Sequence, residues 1–159
     1  LWRFFFVQKP EAQYPDKQGF DINIGGCDWG APKSYFFPYN KGKGTAPPGL
    51  ETGKKGEYIT NRLTDETIAF IETHTKQKPD TPFFAVLSHY AVHTTLEGKP
   101  HLVKRWQKKL DALPDNETPE YANDYTGKVK QNQNDPRDAS MIESMDEALG
   151  GILNYLEVN

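Results

Sequence analysis

Two histidines stand four residues apart in Ser88-His89-Tyr90-Ala91-Val92-His93-Thr94-Thr95. Imidazole changes charge near neutral pH, so it can exchange protons, donate to an anionic oxygen or bind a metal. The segment follows Pro82-Phe83-Phe84-Ala85-Val86-Leu87, an uncharged run that suits a strand buried on both faces. In open α/β sheets ligands bind just beyond the carboxyl ends of strands, which is where His89 and His93 would fall. On a helix the spacing would put both rings on one face, but the β-rich flanks argue against a helix. From spacing alone, two readings stand. Both histidines are structural hydrogen-bonders in a packed turn, or at least one of them is functional. A zinc site on the pair is a further alternative, and it would show stoichiometric metal uptake.

The other candidates carry less chemistry. Gly25-Gly26-Cys27-Asp28-Trp29-Gly30 is glycine-rich, but it lacks the G-x-x-x-x-G-K-[ST] pattern and opens no helix, so it reads as a turn. Cys27 would be a nucleophile only with a base beside it, and nothing in the spacing brings His89 or His93 to it. Asp21 and Asp28 are potential metal ligands whose surroundings read as surface turns. The cations of residues 104–109 read as a solvated helix face rather than a polyanion site. His74 and His101 flank surface segments, and Met141 and Met145 read as core.

Three helices and one strand must position these groups. Leu63, Thr67, Phe70 and Ile71 recur at helical spacing and predict a helix over 60–73, with Thr60 or Thr64 as its N-cap and Pro79 closing it. Met141, Met145, Leu149, Ile152 and Leu156 predict a second over 141–156. Leu102, Trp106 and Leu110 predict a third over 102–110. The strand is 82–88. Residues 27–57 and 111–138 read as long connections, of a length that is uncommon unless functional. A helix followed closely by a buried strand indicates an α/β layer.

The 159 residues amount to about one domain. The net charge of −3 speaks against a dedicated nucleic-acid binder, which is normally basic. A single cysteine excludes an internal disulfide and a cysteine-based zinc cluster. The 13% aromatic content argues against disorder. No apolar run approaches the ~18 residues of a membrane helix. Phe4-Phe5-Phe6-Val7 lacks the h-region and cleavage site of a signal peptide. Asn116-Glu117-Thr118 fits the glycosylation sequon, but Pro119 follows it and chance matches are common. With no initiating methionine, the chain reads as starting inside a longer frame. One candidate strand cannot make a sheet, so 1–159 is expected to be an internal part of a single larger α/β domain.

Five blocks, in order, carry a resemblance. Gly19-Phe20-Asp21-Ile22-Asn23-Ile24-Gly25-Gly26 resembles the G-F-D-x-N-x-G-G stretch of type I, formylglycine-dependent sulfatases. Ser34-Tyr35-Phe36-Phe37-Pro38-Tyr39 resembles the S-Y-F-x-P-Y of many bacterial members. Glu57-Tyr58-Ile59-Thr60-Asn61-Arg62-Leu63-Thr64-Asp65-Glu66 is similar to G-E-Y-L-T-D-R-L-T-D-E. The 82–94 stretch is similar to P-F-F-L-Y-L-S-H-Y-A-V-H-T-P, and Met141-Ile142-Glu143-Ser144-Met145-Asp146-Glu147 to M-I-E-S-M-D-E. The resemblance spans about residues 14–156.

The resemblance implies part of an alkaline-phosphatase-like α/β sandwich, with helices packed on a mixed sheet and joined by long loops. It implies hydrolysis of sulfate esters, of a sulfated carbohydrate or an aryl sulfate, on a periplasmic or secreted protein (lysosomal in a eukaryote). Sulfated small molecules or glycans are the implied partners, with no nucleic acid and no membrane. The implied groups are a formylglycine, made from Cys or Ser in C/S-x-P/A-x-R, and a Ca2+ held by an early Asp-Asp pair and a later Asp-Asn pair. His93 matches the family's active-site histidine, where it would contact the sulfate or the leaving-group oxygen; His89 would position the turn.

The chain also departs from the pattern. It has no C/S-x-P/A-x-R, and Asp-Trp-Gly-Ala follows Cys27, so Cys27 is not a formylglycine precursor. The two acidic calcium pairs would lie before residue 1 and beyond residue 159. The G-K-W-H block is at most hinted at by Trp2-Arg3, and Thr95 replaces the usual proline. His93 is thus the one site residue, catalytic and substrate-binding, that carries over, and the metal ligands are expected outside the chain. The alternatives are a phosphatase or phosphodiesterase of the same superfamily and a stand-alone, non-catalytic binding module. A fragment predicts exposed apolar faces on 83–87 and 141–156; a module predicts cooperative folding.

Overall fold

Helical periodicity in the Leu63 to Ile71 stretch becomes helix α1, Ile59–Gln77, which buries Leu63 and Ile71. The computed structural model describes residues 13–114 and 118–158. The 1–12 stretch, with Trp2-Arg3 and Phe4-Phe5-Phe6-Val7, lies outside them, as do Asn116 and Glu117. The capping expectation was wrong for α1. Thr60 and Thr64 lie inside the helix, where the Thr64 hydroxyl donates to the Thr60 carbonyl at 2.8 Å. The N-cap is Tyr58, which makes no side-chain cap. The reason is tertiary: the Ile59 N–H, one of the orphan donors at a helix start, donates to the Tyr35 carbonyl at 2.9 Å. Phe36 and Tyr58 form an antiparallel bridge beside it. At the other end the Lys78 N–H closes on the His74 carbonyl just before Pro79.

Helix α2, Pro100–Asp111, starts with proline at a position whose N–H needs no partner and buries Leu102. Two four-residue strands follow, β1 (Tyr121–Asp124) and β2 (Gly127–Lys130), and then helix α3, Pro136–Val158. α3 packs against both α1 and α2. It buries Ser140, Met141, Ser144 and Ala148, a narrow face of mostly small residues that lets the other helices come close. A Cβ on Gly98 would sit 1.7 Å from Ser140 Oγ, so only glycine allows that approach. The Trp106 indole N–H donates to Glu143 at 2.6 Å, Arg105 also pairs with Glu143, and Lys99 pairs with Glu147 at 2.8 Å. The apolar stripe expected over 141–156 is divided. Met141 is buried, whereas Leu149 and Leu156 are 56% and 49% exposed.

Residues 82–88 are not a strand buried on both faces: no strand forms there, and Phe84 and Val86 are 76% and 60% exposed. A strand needs a neighbour to satisfy its backbone, and none lies beside this run among the described residues. Phe83 instead turns its ring edgewise to Phe70 at 5.5 Å, and Phe84 lies 6.1 Å from Phe20. Among the described residues the sheet that does form is the β1–β2 antiparallel hairpin, inside the stretch read as connection, with Tyr121 opposite Lys130 and Asn123 opposite Lys128. All eight strand residues are exposed, so no in–out alternation marks them in the sequence.

The architecture is therefore mixed α/β, built round a cluster of buried residues. Tyr35, Tyr39, Leu50, Tyr58, Ile59, Leu63 and Met141 are buried together. Leu87, Tyr90, Ala91 and Leu96 pack onto this core, so it lies directly beneath the histidine turn. No helix among the described residues is long and apolar enough to cross a membrane.

Candidate functional site

The turn that carries His93 is held by tyrosine hydroxyls. The His93 N–H donates to the Tyr90 carbonyl at 3.0 Å, which makes the turn. The Tyr35 hydroxyl donates toward the same Tyr90 carbonyl at 2.8 Å and the His93 carbonyl at 2.9 Å. The Tyr90 hydroxyl donates to the Gly25 carbonyl at 2.6 Å, with Cys27 Sγ 3.3 Å away. The Tyr58 hydroxyl donates to the Glu97 carbonyl at 2.9 Å. The Glu97 carboxylate accepts from the Ser34 hydroxyl and the Tyr35 N–H, both at 2.8 Å, and Lys41 lies 3.6 Å from it. Residues 90–97 are thus gripped at both ends, and Val92 to Thr95 are left exposed between the grips. Burial pushes the Tyr35 phenol up to about 12, and it raises Tyr58 and Tyr90 as well, so all three stay protonated as donors.

The His93 side chain is exposed, with Nδ1 3.1 Å from the Thr94 carbonyl. A proton on Nδ1 would donate to that carbonyl, and the Thr94 hydroxyl also lies 3.4 Å from Nδ1. Nδ1 is thus engaged within the turn, and contact with an anionic oxygen or proton transfer falls to Nε2 of this solvent-facing imidazole. His89 is half-buried; burial lowers its pKa and favours the neutral ring. Its Nδ1 is buried with no hydrogen-bond partner among the described residues. The turn is held by Tyr35, Tyr58 and Tyr90, three tyrosines that residue type and spacing do not single out. All three lie in the blocks that resemble the family, S-Y-F-x-P-Y, E-Y-I-T and S-H-Y-A-V-H-T, and that is the available signal.

The remaining candidates resolve as follows. The glycine-rich stretch is a turn tied to the core. The Gly25 N–H donates to the Pro48 carbonyl at 2.7 Å, and the Asn23 side chain brackets Gly26 through both its N–H and its carbonyl. Gly25 takes φ 77° where a Cβ would meet Leu63 at 2.9 Å, so both conformation and space require glycine. Burial pushes the Cys27 thiol up, the opposite of what a nucleophile needs. Asp21 and Asp28 are exposed. His74 Nε2 bonds the Thr81 carbonyl at 2.8 Å, and His101 is exposed. Beyond the turn, an open groove of about 850 Å³ is lined by Phe36, Glu97, Val103, Lys104, Gln107 and Arg137 and does not include His93.

Among the described residues no group of three or more His, Cys, Asp or Glu side chains is assembled to hold a metal ion. Without a calcium ligand set among the described residues or a C/S-x-P/A-x-R precursor in the sequence, neither group fits the residues present.

Comparisons with known proteins bear on the fold and the family. A protein described as "Sulfatase" from Formosa agariphila is 25% identical over 101 residues, covering 64% of this chain and 15% of that protein. A solved structure titled "Crystal structure of Ps i-CgsB" superposes with a TM-score of 0.54 at 20% identity, covering 94% of this chain and 31% of that one. At that identity the likeness is one of fold. The chain thus spans about a third or less of the length of the proteins it matches. The family model described as Sulfatase matches residues 3–159, so the chain belongs to the sulfatase family.

Proposed function

We propose that the chain is a segment of a sulfatase catalytic domain that hydrolyses sulfate esters of a sulfated carbohydrate or an aryl sulfate, and that His93 is its catalytic and substrate-binding residue. The observation that carries the reading is the exposed His93 imidazole on a turn anchored to a tyrosine core, at the position that resembles the family's A-V-H-T block. From there the ring, when protonated at Nε2, donates to a sulfate oxygen or passes that proton to the leaving alkoxide or phenoxide. Either effect is stronger in the transition state, where negative charge builds on those oxygens.

The formylglycine and Ca2+ of the family would come from sequence other than these residues, and the whole enzyme would be periplasmic or secreted. The exposed Phe84, Val86, Leu149, Leu153 and Leu156 support a segment within a larger domain, because isolated soluble chains rarely leave such faces bare. The test is His93→Ala in the complete enzyme, assayed on an aryl sulfate and on a sulfated oligosaccharide. The expected result is a loss of kcat of about 10²–10⁴-fold with an unchanged melting temperature. Undiminished turnover would remove His93 from the site.

A further inference from the structure

We infer that Tyr35 is a positioning residue for His93: its buried hydroxyl sets the backbone on which the imidazole is carried. The inference rests on the sulfatase reading for its catalytic consequence and on geometry alone for the tie. Tyr35 is fully buried, so its hydroxyl has no water to turn to. That one proton is shared between the Tyr90 and His93 carbonyls, at 2.8 and 2.9 Å, and so bridges the first and last residues of the turn. The His93 side chain is exposed and its Nδ1 lies 3.1 Å from the carbonyl of the next residue, Thr94, so the backbone of the turn contributes to where the ring sits.

Tyr35 is itself fixed. Its carbonyl accepts from the Ile59 N–H at the start of α1, and its N–H donates to Glu97 at 2.8 Å. Its ring stacks on Tyr58, centroids 5.9 Å apart and planes 28° from parallel. Among the ties on the turn, this phenol is the one that links the His93 carbonyl to the start of a 19-residue helix. Tyr39 is the matched control. It is a buried phenol of the same core, but its hydroxyl donates to Glu57 at 2.6 Å and does not touch the turn.

The experiment compares Tyr35→Phe, Tyr39→Phe, His93→Ala and the Tyr35→Phe/His93→Ala double variant in the complete enzyme. Hydrogen exchange is read over a peptide covering 89–96, and kcat and KM are read on an aryl sulfate. Tyr35→Phe should speed exchange in that peptide while Tyr39→Phe leaves it unchanged. It should lower kcat about tenfold to hundredfold, as ångström-scale misplacement of a reacting group does, with a smaller change in KM. In the His93→Ala background it should cause no further loss, because a residue that acts through His93 has nothing left to position. Unchanged exchange over 89–96 overturns the proposal. So does an equal loss of kcat in both backgrounds, which would make Tyr35 a general stabiliser. Faster exchange together with a fully active His93→Ala supports the tie and overturns the sulfatase role assigned to His93, so the two failures are distinguishable.

Discussion

Tyrosines in two regions of this molecule behave in opposite ways. In the core, Tyr35, Tyr39 and Tyr58 are 0%, 1% and 4% exposed, and each hydroxyl has a defined acceptor. In the hairpin, Tyr121 and Tyr125 are 50% and 97% exposed, and among the described residues the hairpin packs on no helix. The core tyrosines supply large apolar rings and also act as long-reach donors, a combination that suits tyrosine where one end of a side chain is dry and the other meets a polar group. They anchor irregular segments that no sheet holds. The hairpin shows the same residue type without burial, and a two-stranded ribbon of this kind is marginal in water. Residue identity therefore matters less than whether the phenol is buried with an acceptor in reach.

The comparison breaks most sharply at Tyr35 and Tyr125. Tyr35→Ala empties a buried aromatic site and should lower the unfolding free energy by about 3–5 kcal/mol. Tyr125→Ala should change it by no more than about 0.5 kcal/mol. Urea unfolding of both variants decides, and equal losses would erase the distinction between the regions.

An intermediate effect is expected at Glu57, which accepts from the Tyr39 hydroxyl and from Arg62 at 3.0 Å. Burial pushes its carboxyl up, but the Tyr39 and Arg62 bonds outweigh this and hold it below its ordinary value of 4.5. A folded-state pKa below the unfolded one gives stability that is present above the ordinary value and lost as pH falls through the lower, folded one. The Tm advantage of the wild type over Glu57→Gln should therefore be full at neutral pH and shrink as the pH falls below about 4.5. An advantage that does not change with pH would show that the Tyr39–Glu57–Arg62 cluster contributes packing alone.

The smallest effect belongs to the hairpin. The Glu120–Lys130 pair spans 3.9 Å between exposed side chains, so Glu120→Gln should cost less than about 1 kcal/mol, and added salt should remove the difference. A larger, salt-independent loss would mean that the hairpin has a structural role like that of the core.

The helices were legible because their signal is local. Leu63 and Ile71 repeat at helical spacing and are buried in α1, and Leu102 does the same for α2. The Met141 stripe located α3 but not its buried face, because Ser140, Ser144 and Ala148 are small and carry no hydrophobic signal. The strand over 82–88 was read from its apolar run, yet a strand exists only when another backbone lies beside it. The hairpin was missed because both its faces are wet. His93 was singled out by residue type and by resemblance, whereas the tyrosines that hold its turn passed for ordinary aromatic core.

The sequence by itself determined the three helices, the mixed α/β class, the ordered blocks that resemble sulfatases and the histidine pair four residues apart. These depend on composition and on spacings of a few residues, where helical period and motif order act. Only the tertiary structure decided which tyrosines are buried, that Thr60 and Thr64 do not cap α1, and that Tyr35 and Tyr90 tie the turn to residues 55 to 65 positions away. A buried hydroxyl takes whichever carbonyl the fold brings within about 3 Å, and no local pattern in the chain encodes that choice.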